Sequence, residues 1–495
     1  MLKRISLLLL VVLLTAGSVF AQNAKKGIEA VKRGDYTTGI NLLKDVVKSN
    51  DDYDVNYYYG YALFMTEQYS DAEKYFKIAL KDDDEGIDAL RGLGDIKAIN
   101  KDYDAALSFY KNALKIDMND VPTLISQANV YLAQGKIDNA IDILLKADIN
   151  KPKNTNILTA LGNAYYDRET YPLALDFFKK ALAVNPRYAP AHYGIARSYL
   201  KQARNVESEE KKQKLYNDAL DEFDKAISAD VNYADAYYEK ALILYAAGKL
   251  ESTEETMLKY LDLKPNSSKG KYLYGRVLYL QKKTDMAISV FIDLSQDTLY
   301  ASEGNLYLAR IYSELEYKDS VAMVNNYIRS IDFYNKVEES DVEIEDYIRM
   351  GRMFSEMKNM TEALKYYTKA IEKDPESGDG YYELGKGYFN NENYSSAIEN
   401  FNKAKSKGLK TSILYLYSGL AHYYEKQYNE SASDFQNSIE LYPTVPSYLF
   451  LAKSYRQLGK NEAAIKEYQN ALSLDPDNQE AKDAIKVLSA PENNK

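Results

Sequence analysis

A small residue returns along this chain at a spacing that few folds can accommodate. Gly27, Gly60, Gly94, Ala128, Gly162, Ala196, Ala241, Gly275, Ala309, Gly351, Gly385, Gly419 and Ala452 are all glycine or alanine. Eight of the twelve spacings between them are 34 residues, two are 33, and two are longer, at 45 and 42. A period in the range of roughly 20–50 residues marks a stack of supersecondary units, each able to bury its apolar face only against its neighbours.

The interval within one period reads as two helices. Twelve residues after most of the small positions comes a second small residue: Ala72, Ala106, Ala140, Ala174, Ala287, Ala363 and Ala397. Four further on stands a bulky one, as at Phe76, Tyr110, Phe178, Phe291, Tyr367 and Phe401, and three beyond that comes Ala79, Ala113, Ala147, Ala181, Ala370 or Ala404. Steps of three and four place these side chains on one helical face. Pro152, Pro186, Pro265, Pro375, Pro443 and Pro476 follow and end the second helix, which proline cannot continue. Glycine inside a helix costs about 1 kcal/mol relative to alanine. A glycine that recurs at one phase therefore serves close packing of the antiparallel partner helix.

This order of small residue, tyrosine three later (Tyr131, Tyr165, Tyr199, Tyr312, Tyr388, Tyr455), alanine, aromatic, alanine and proline resembles the tetratricopeptide repeat, from about Asn23 to Ser489. The family's frequent tryptophan, four residues before the small position, is absent; Tyr58, Leu90, Leu158, Tyr237, Tyr381 and Tyr415 stand at or near it. The resemblance implies an all-α fold, a right-handed α-solenoid of about thirteen antiparallel helix pairs. The polar last segment, Asp477 to Leu488, is expected to be a capping helix.

Two departures break the period. About eleven residues are inserted between Ala196 and Ala241, in the charged run Arg204 to Lys214, and about eight between Ala309 and Gly351. The first predicts a lengthened helix pair; the helix near Ser320 to Val337 falls out of phase. The organisation expected is a signal peptide over 1–21, an N-terminal array over 22–235 with its insertion near 203–214, a middle array over 236–338, a C-terminal array with cap over 339–489, and a disordered tail over 490–495.

The signal peptide rests on Lys3 and Arg4, the apolar stretch Ile5 to Leu14 and the small-residue exit at Ala21. That stretch is shorter than the about 20 residues a spanning helix needs, and no later segment is apolar for long enough. The chain is thus expected on the non-cytoplasmic side of the membrane, periplasmic or at the cell surface, in an envelope complex. It has no cysteine, which excludes disulfides, thiol catalysis and thiolate metal sites. Removing the leader leaves 61 basic against 73 acidic residues, a balance unlike the basic footprint of a nucleic-acid binder.

Chemistry-bearing constellations are missing. The only histidines, His192 and His422, fall in different repeats, too few for a metal cluster without carboxylate help. The acidic runs Asp82-Asp83-Asp84-Glu85 and Glu338-Glu339 lie at helix ends and read as solvated charge. Turns such as Gly34-Asp35, Gly135-Lys136, Gly248-Lys249 and Gly459-Lys460 account for other glycines. A non-enzymatic chain without a cofactor is the expectation.

The resemblance further implies that positions three before, one after and four after each small residue face an inner groove. In the early repeats these are mixed: Tyr57 and Tyr61, Arg91 and Asp95, Ile125 and Asn129, Thr159 and Asn163. From the sixth repeat they turn aromatic and basic, with Tyr193, Arg197, Tyr238, Tyr272, Arg276, Arg310, Arg352, Tyr382 and Lys386, then Lys453 and Arg456. Arginine offers a planar fork for carboxylates and tyrosine a rigid face with a polar tip. The groove is therefore read as a binding surface for a protein or peptide, best an acidic or C-terminal segment. The alternative is a carbohydrate-handling array of exopolysaccharide export, with tyrosines stacking on sugars. The family's chaperone-tail clamp uses lysine and asparagine where this chain has Ala24 and Ile28, which argues against that ligand.

Overall fold

A computed structural model describes residues 20–489; the leader's residues 1–19 and the expected tail, 490–495, lie outside them. The described residues are helical hairpins without a strand. They divide into two compact units that meet in sequence between Leu263 and Lys264. The first contains seven hairpins: α1 (20–32) with α2 (Tyr36–Leu43), α3 (Tyr53–Met65) with α4 (Tyr69–Asp82), α5 (Ile87–Ile99) with α6 (Tyr103–Ile116), α7 (Val121–Ala133) with α8 (Ile137–Asn150), α9 (Thr155–Asp167) with α10 (Tyr171–Val184), α11 (Ala189–Arg204) with α12 (Glu209–Ala229), and α13 (Ala234–Ala246) with α14 (Leu250–Leu263). The second contains six hairpins and a cap: α15 (Ser268–Leu280) with α16 (Thr284–Leu294), α17 (Ala301–Glu314) with α18 (Ser320–Tyr334), α19 (Ile344–Glu356) with α20 (Met360–Lys373), α21 (Gly378–Asn390) with α22 (Tyr394–Ser406), α23 (Ser412–Tyr424) with α24 (Tyr428–Leu441), α25 (Val445–Gln457) with α26 (Asn461–Leu474), and the cap α27 (Gln479–Leu488).

Every periodic small residue sits on the first helix of its hairpin, and the five alanines among them are fully buried. The glycines answer rings. Gly60, Gly94, Gly162, Gly275, Gly351, Gly385 and Gly419 each face an aromatic side chain sixteen residues later, on the second helix. A Cβ at Gly162 would stand 2.5 Å from Phe178 Cε1, and one at Gly275 2.8 Å from Phe291 Cζ. Where the buried second-helix residue is Leu144 or Met257 instead, the first helix carries alanine, Ala128 or Ala241. The ring favours glycine there without requiring it: Ala196 with Phe223 and Ala452 with Tyr468 manage with alanine, and Gly27 faces Leu43.

The hairpin turn is as periodic as the core. Seven residues after the small position the backbone adopts a left-handed conformation in eleven of the thirteen hairpins, for example φ 62° at Lys101 and 73° at Gly135. The N–H of Asp102 then reaches back to the Lys97 carbonyl at 2.9 Å, and Lys136 N–H to Tyr131 O at 2.8 Å, closing the first helix as a Schellman motif does. Seven hairpins place lysine or glutamate at this phase beyond the four glycine turns already read from sequence: Lys101, Lys282, Lys358 and Lys426, and Glu67, Glu169 and Glu392. The two hairpins without the left-handed residue are the two irregular ones. Second helices end two residues before Pro152, Pro186, Pro265, Pro375, Pro443 and Pro476, as expected from proline chemistry.

The first insertion lengthens a hairpin: α11 has 16 residues and α12 21, where the neighbouring first and second helices have 13 and 14. The second is taken up by the loops around α18 and a 3-10 turn, Glu339–Asp341. Neither interrupts packing. Phe223 and Ala236 share one cluster across the first, and Tyr334, Val342 and Tyr347 share another across the second. The boundaries expected at 235/236 and 338/339 fall inside the two compact units, which meet in sequence at 263/264.

Candidate partner-binding layer

Within each unit consecutive first helices touch one another: α3, α5, α7, α9 and α11 in the first, α15 to α25 at alternate helices in the second. The residues expected to line the groove lie on this layer, where neighbouring repeats bring rings and cations together.

In the first unit Tyr57 is buried between Tyr53 and Tyr61, with ring centroids 5.8 and 6.0 Å away. Arg91 binds Asp88 at 2.5 Å, and the Tyr110 hydroxyl donates to Asp95 at 2.7 Å; burial pushes that carboxyl above its usual range. Arg197 lies 4.3 Å from the ring centroid of Tyr166 on the preceding first helix and 5.6 Å from Tyr193. Among the described residues no carboxylate comes within ion-pair distance of it, so rings rather than anions hold this guanidinium. The Tyr193 ring also packs on Phe223 and Tyr233, and burial raises its hydroxyl pKa well above normal. Tyr238 packs on Tyr260 at 5.2 Å.

In the second unit Tyr272 packs on Tyr300 and Tyr307, and burial pushes its pKa up to about 12; Arg276 stands 5.4 Å over its ring. Arg310 pairs with an anion rather than only with rings. Its guanidinium donates in parallel to Asp346 on the next first helix, Nε to Oδ1 at 2.8 Å and Nη2 to Oδ2 at 2.7 Å. Asp346 has no exposed surface and also accepts from the Tyr334 hydroxyl at 2.9 Å and the Glu343 N–H at 3.1 Å. One side of the Arg310 fork thus serves a link between repeats, and its Nη1 lies outside these two hydrogen bonds.

Arg352 and Lys386 share a single acceptor. Arg352 Nη2 lies 2.6 Å from Glu383 Oε1 and Lys386 Nζ 3.3 Å from Oε2, while the Glu383 side chain is 2% exposed. Lys386 also stands over Tyr382 and Tyr417, 5.2 and 5.9 Å from their centroids. An open cleft of about 320 Å³ lies here between α19 and α21, lined by Ile348, Arg349, Arg352 and Tyr382 with the exposed carboxylates of Glu345 and Asp379. At the end of the series Lys453 pairs with Glu480 of the cap at 2.6 Å.

Arg349, Asp346, Glu383, Glu345 and Asp379 were not singled out in sequence, because they fall outside the three phases assigned to the groove. A carboxylate two or five residues before the small position, following a basic residue one after the previous one, is the signal that finds Glu383 and Asp346. Arg349 is held at 2.5 Å by Glu314, which in turn accepts from the Tyr279 hydroxyl at 2.9 Å, a chain across three successive first helices. Among the described residues no group of three or more acidic or histidine side chains could hold a metal, and no helix is long and apolar enough to cross a membrane.

Comparison with known proteins agrees with the architecture. Tetratricopeptide repeat family models match residues 98–164 and residues 25–87, 66–121, 159–216, 208–268 and 349–412; a TPR repeat model matches 452–481. BBSome complex member BBS4 of Bos taurus is 29% identical over 125 residues, covering 25% of this chain and 24% of that protein. The photosystem I assembly protein Ycf3 of Prochlorococcus marinus is 33% identical over 75 residues, 14% of this chain and 43% of its own. The chain therefore spans less than half the length of these curated relatives. Among solved structures, the human IFIT1 dimer with m7Gppp-AAAA is 20% identical with a TM-score of 0.44, over 69% of this chain and 79% of that one. The APC/C hetero-tetramer Cut9-Hcn1 is 14% identical with a TM-score of 0.38, over 88% and 96%. With helical hairpins observed from end to end of the described residues and one family model covering more than half of the sequence, this chain belongs to the tetratricopeptide-repeat superfamily.

Proposed function

We propose that this chain is an exported, non-catalytic scaffold that recruits protein or peptide partners through its first-helix layer, with the cleft at Arg352 and Tyr382, and Lys386 beside it across Glu383, as a principal contact. The observation that carries this reading is the pairing around Glu383. Two cations share one buried carboxylate, which leaves one positive charge uncompensated by it at the edge of an open cleft. The Arg352 side chain is 58% exposed, so the rest of its fork can donate to a ligand carboxylate. Opposite it, Asp379 and Glu345 offer acceptors. An extended segment that puts an acidic side chain or C-terminus on Arg352 and Lys386, and amide or ammonium donors on the carboxylates, satisfies both sides. Arg197, held by rings alone, offers the same chemistry in the first unit.

Two relatives bear names of assembly, a BBSome complex member and a photosystem I assembly protein, in keeping with recruitment of proteins. The carbohydrate alternative needs free tyrosine faces, yet Tyr193, Tyr238 and Tyr272 are packed against other rings. Export rests on the leader read in the sequence and places the partner in the envelope. Intact mass of native protein tests it: a chain starting at Gln22 is expected, and a mass retaining Met1 to Ala21 refutes it.

Binding is tested with a partner captured from envelope extracts and titrated against variants. Arg352→Gln with Lys386→Gln should weaken it tenfold or more, since each charge-assisted contact contributes about 1.5–3 kcal/mol, and raised salt should weaken the wild type. Replacing the exposed second-helix residues Lys74, Lys111 and Lys179 by glutamine should leave binding unchanged. Equal losses in the two sets would refute the cleft.

A further inference from the structure

Removal of the leader has a chemical consequence at the cut. The bond after Ala21 lies within the described residues, and cleavage there makes Gln22 both the amino terminus and the first residue of α1. Phe20, Ala21 and Gln22 are all exposed, so a protease can reach that bond. Among the described residues nothing hydrogen-bonds the Gln22 side chain, and its amide is free to turn back on its own backbone nitrogen. The rest of α1 is held in place: Ala30 and Val31 are buried, and Val31 shares an apolar cluster with Leu43 and Val46, against which Ala24 and Ile28 pack.

The surroundings of the new amine are cationic. Lys25 and Lys26 stand three and four residues on, the spacings that bring helical side chains to one face, and both are exposed. The first acidic residue of α1 is Glu29. The amine also occupies the positive end of the helix dipole. Crowded positive charge disfavours the ammonium and favours the neutral amine, which is the nucleophilic form. That amine and the Cδ of its own side chain are separated by the bonds of a five-membered ring, and attack within one residue runs at a high effective concentration.

We propose that Gln22 of the exported chain is closed to a pyroglutamyl lactam. The amine nitrogen forms a bond to Cδ, the bond from Cδ to Nε2 breaks, and Nε2 leaves as ammonia with the proton that the amine gives up. No oxidant, reductant or second substrate takes part. Closure removes one of three clustered positive charges from the start of α1, as acetylation of an amino terminus does. The ring ties the backbone nitrogen to the side chain as that of proline does, and proline is favoured at the first helical position. An aminopeptidase that needs a free amine then has no grip on the first hairpin, which has no described hairpin before it. The proposal rests on the export reading, because cleavage after Ala21 is what frees this amine.

The test takes the native chain from the envelope fraction. Its intact mass should be lower by one ammonia than that of an open chain starting at Gln22, and the tryptic fragment Gln22–Lys25 should carry the loss. The chain should resist leucine aminopeptidase until pyroglutamyl peptidase removes the first residue. Gln22→Asn keeps a side-chain amide but is one methylene too short for the ring. Its exported chain should therefore keep a free amine and lose residues to leucine aminopeptidase. A chain that begins at Gln22 with an open amine and an intact amide overturns the lactam and leaves export standing. A blocked Gln22→Asn chain overturns it too, because another group then masks the terminus. A chain that begins elsewhere overturns the export reading, and this inference with it.

Discussion

Arg310 grips Asp346 with two parallel hydrogen bonds, and in doing so ties the first helix of one hairpin to the first helix of the next. Burial raises the carboxyl's pKa, but the bonds from Arg310, Tyr334 and the Glu343 N–H outweigh it and hold Asp346 below its ordinary range. Removing one partner of such a buried pair leaves the other uncompensated, which typically costs about 3–5 kcal/mol. Arg310→Gln should therefore destabilise the second unit, with faster hydrogen exchange at α17 and α19. Because the folded pKa is depressed, the stabilisation is present above the unfolded value and lost as pH falls through the folded one. Urea titrations of wild type and Arg310→Met between pH 5 and pH 2 should converge at the acid end.

His192 behaves oppositely. Its Nδ1 lies 2.6 Å from Glu222 Oε2 and its Nε2 3.1 Å from the Pro186 carbonyl, so both nitrogens face acceptors and the imidazolium is favoured. The Glu222 hydrogen bond raises the pKa above 6.5, against the desolvation that would lower it. A raised folded pKa means stability fully present below the unfolded value and lost as pH rises through the folded one. The histidine's C2 proton should titrate above pH 6.5 by NMR, and His192→Gln should remove the part of the first unit's stability that fades on the alkaline side. A titration midpoint below 6.5 would contradict the assignment.

Gly162→Leu tests the ring-and-glycine rule. The added side chain must enter space held by Phe178, and overpacking of this kind costs about 1–3 kcal/mol. Exchange should accelerate over residues 155–186 and stay near wild type beyond Gly351, since a repeat contacts only its neighbours. Uniform acceleration along the chain would contradict a nearest-neighbour solenoid.

The hairpin turns give a substitution of each sign. Lys101 holds a left-handed conformation that costs an L-residue about 1–2 kcal/mol, partly offset by the greater freedom glycine loses on folding. Lys101→Gly should raise stability by up to about 1 kcal/mol, whereas Gly135→Ala at the same phase should lower it by about as much. Thermal unfolding of the two variants side by side decides whether the shared phase is real.

The repeat was legible in the chain because packing writes itself into sequence at short range. Gly162 and Phe178, sixteen residues apart, must be complementary in size, and Pro186 must end what precedes it; these demands recur every 34 residues and need no knowledge of the other repeats. The phase of the groove residues was legible for the same reason, since helical periodicity fixes which positions share a face. What each groove cation does was not. Arg310, Arg352 and Arg197 occupy one phase, yet the first is locked to a buried aspartate, the second shares a glutamate with Lys386, and the third rests on tyrosine rings. Those partners come from the adjacent hairpin, at separations such as the 36 residues from Arg310 to Asp346. Whether a carboxylate there turns toward the arginine depends on side-chain geometry across a helix-helix contact, which a pattern of residue types does not encode. The lengthened α11 and α12 likewise leave an open cleft of about 440 Å³ against α13, lined by Leu200, Tyr216 and Leu242, and that arrangement is a property of tertiary stacking.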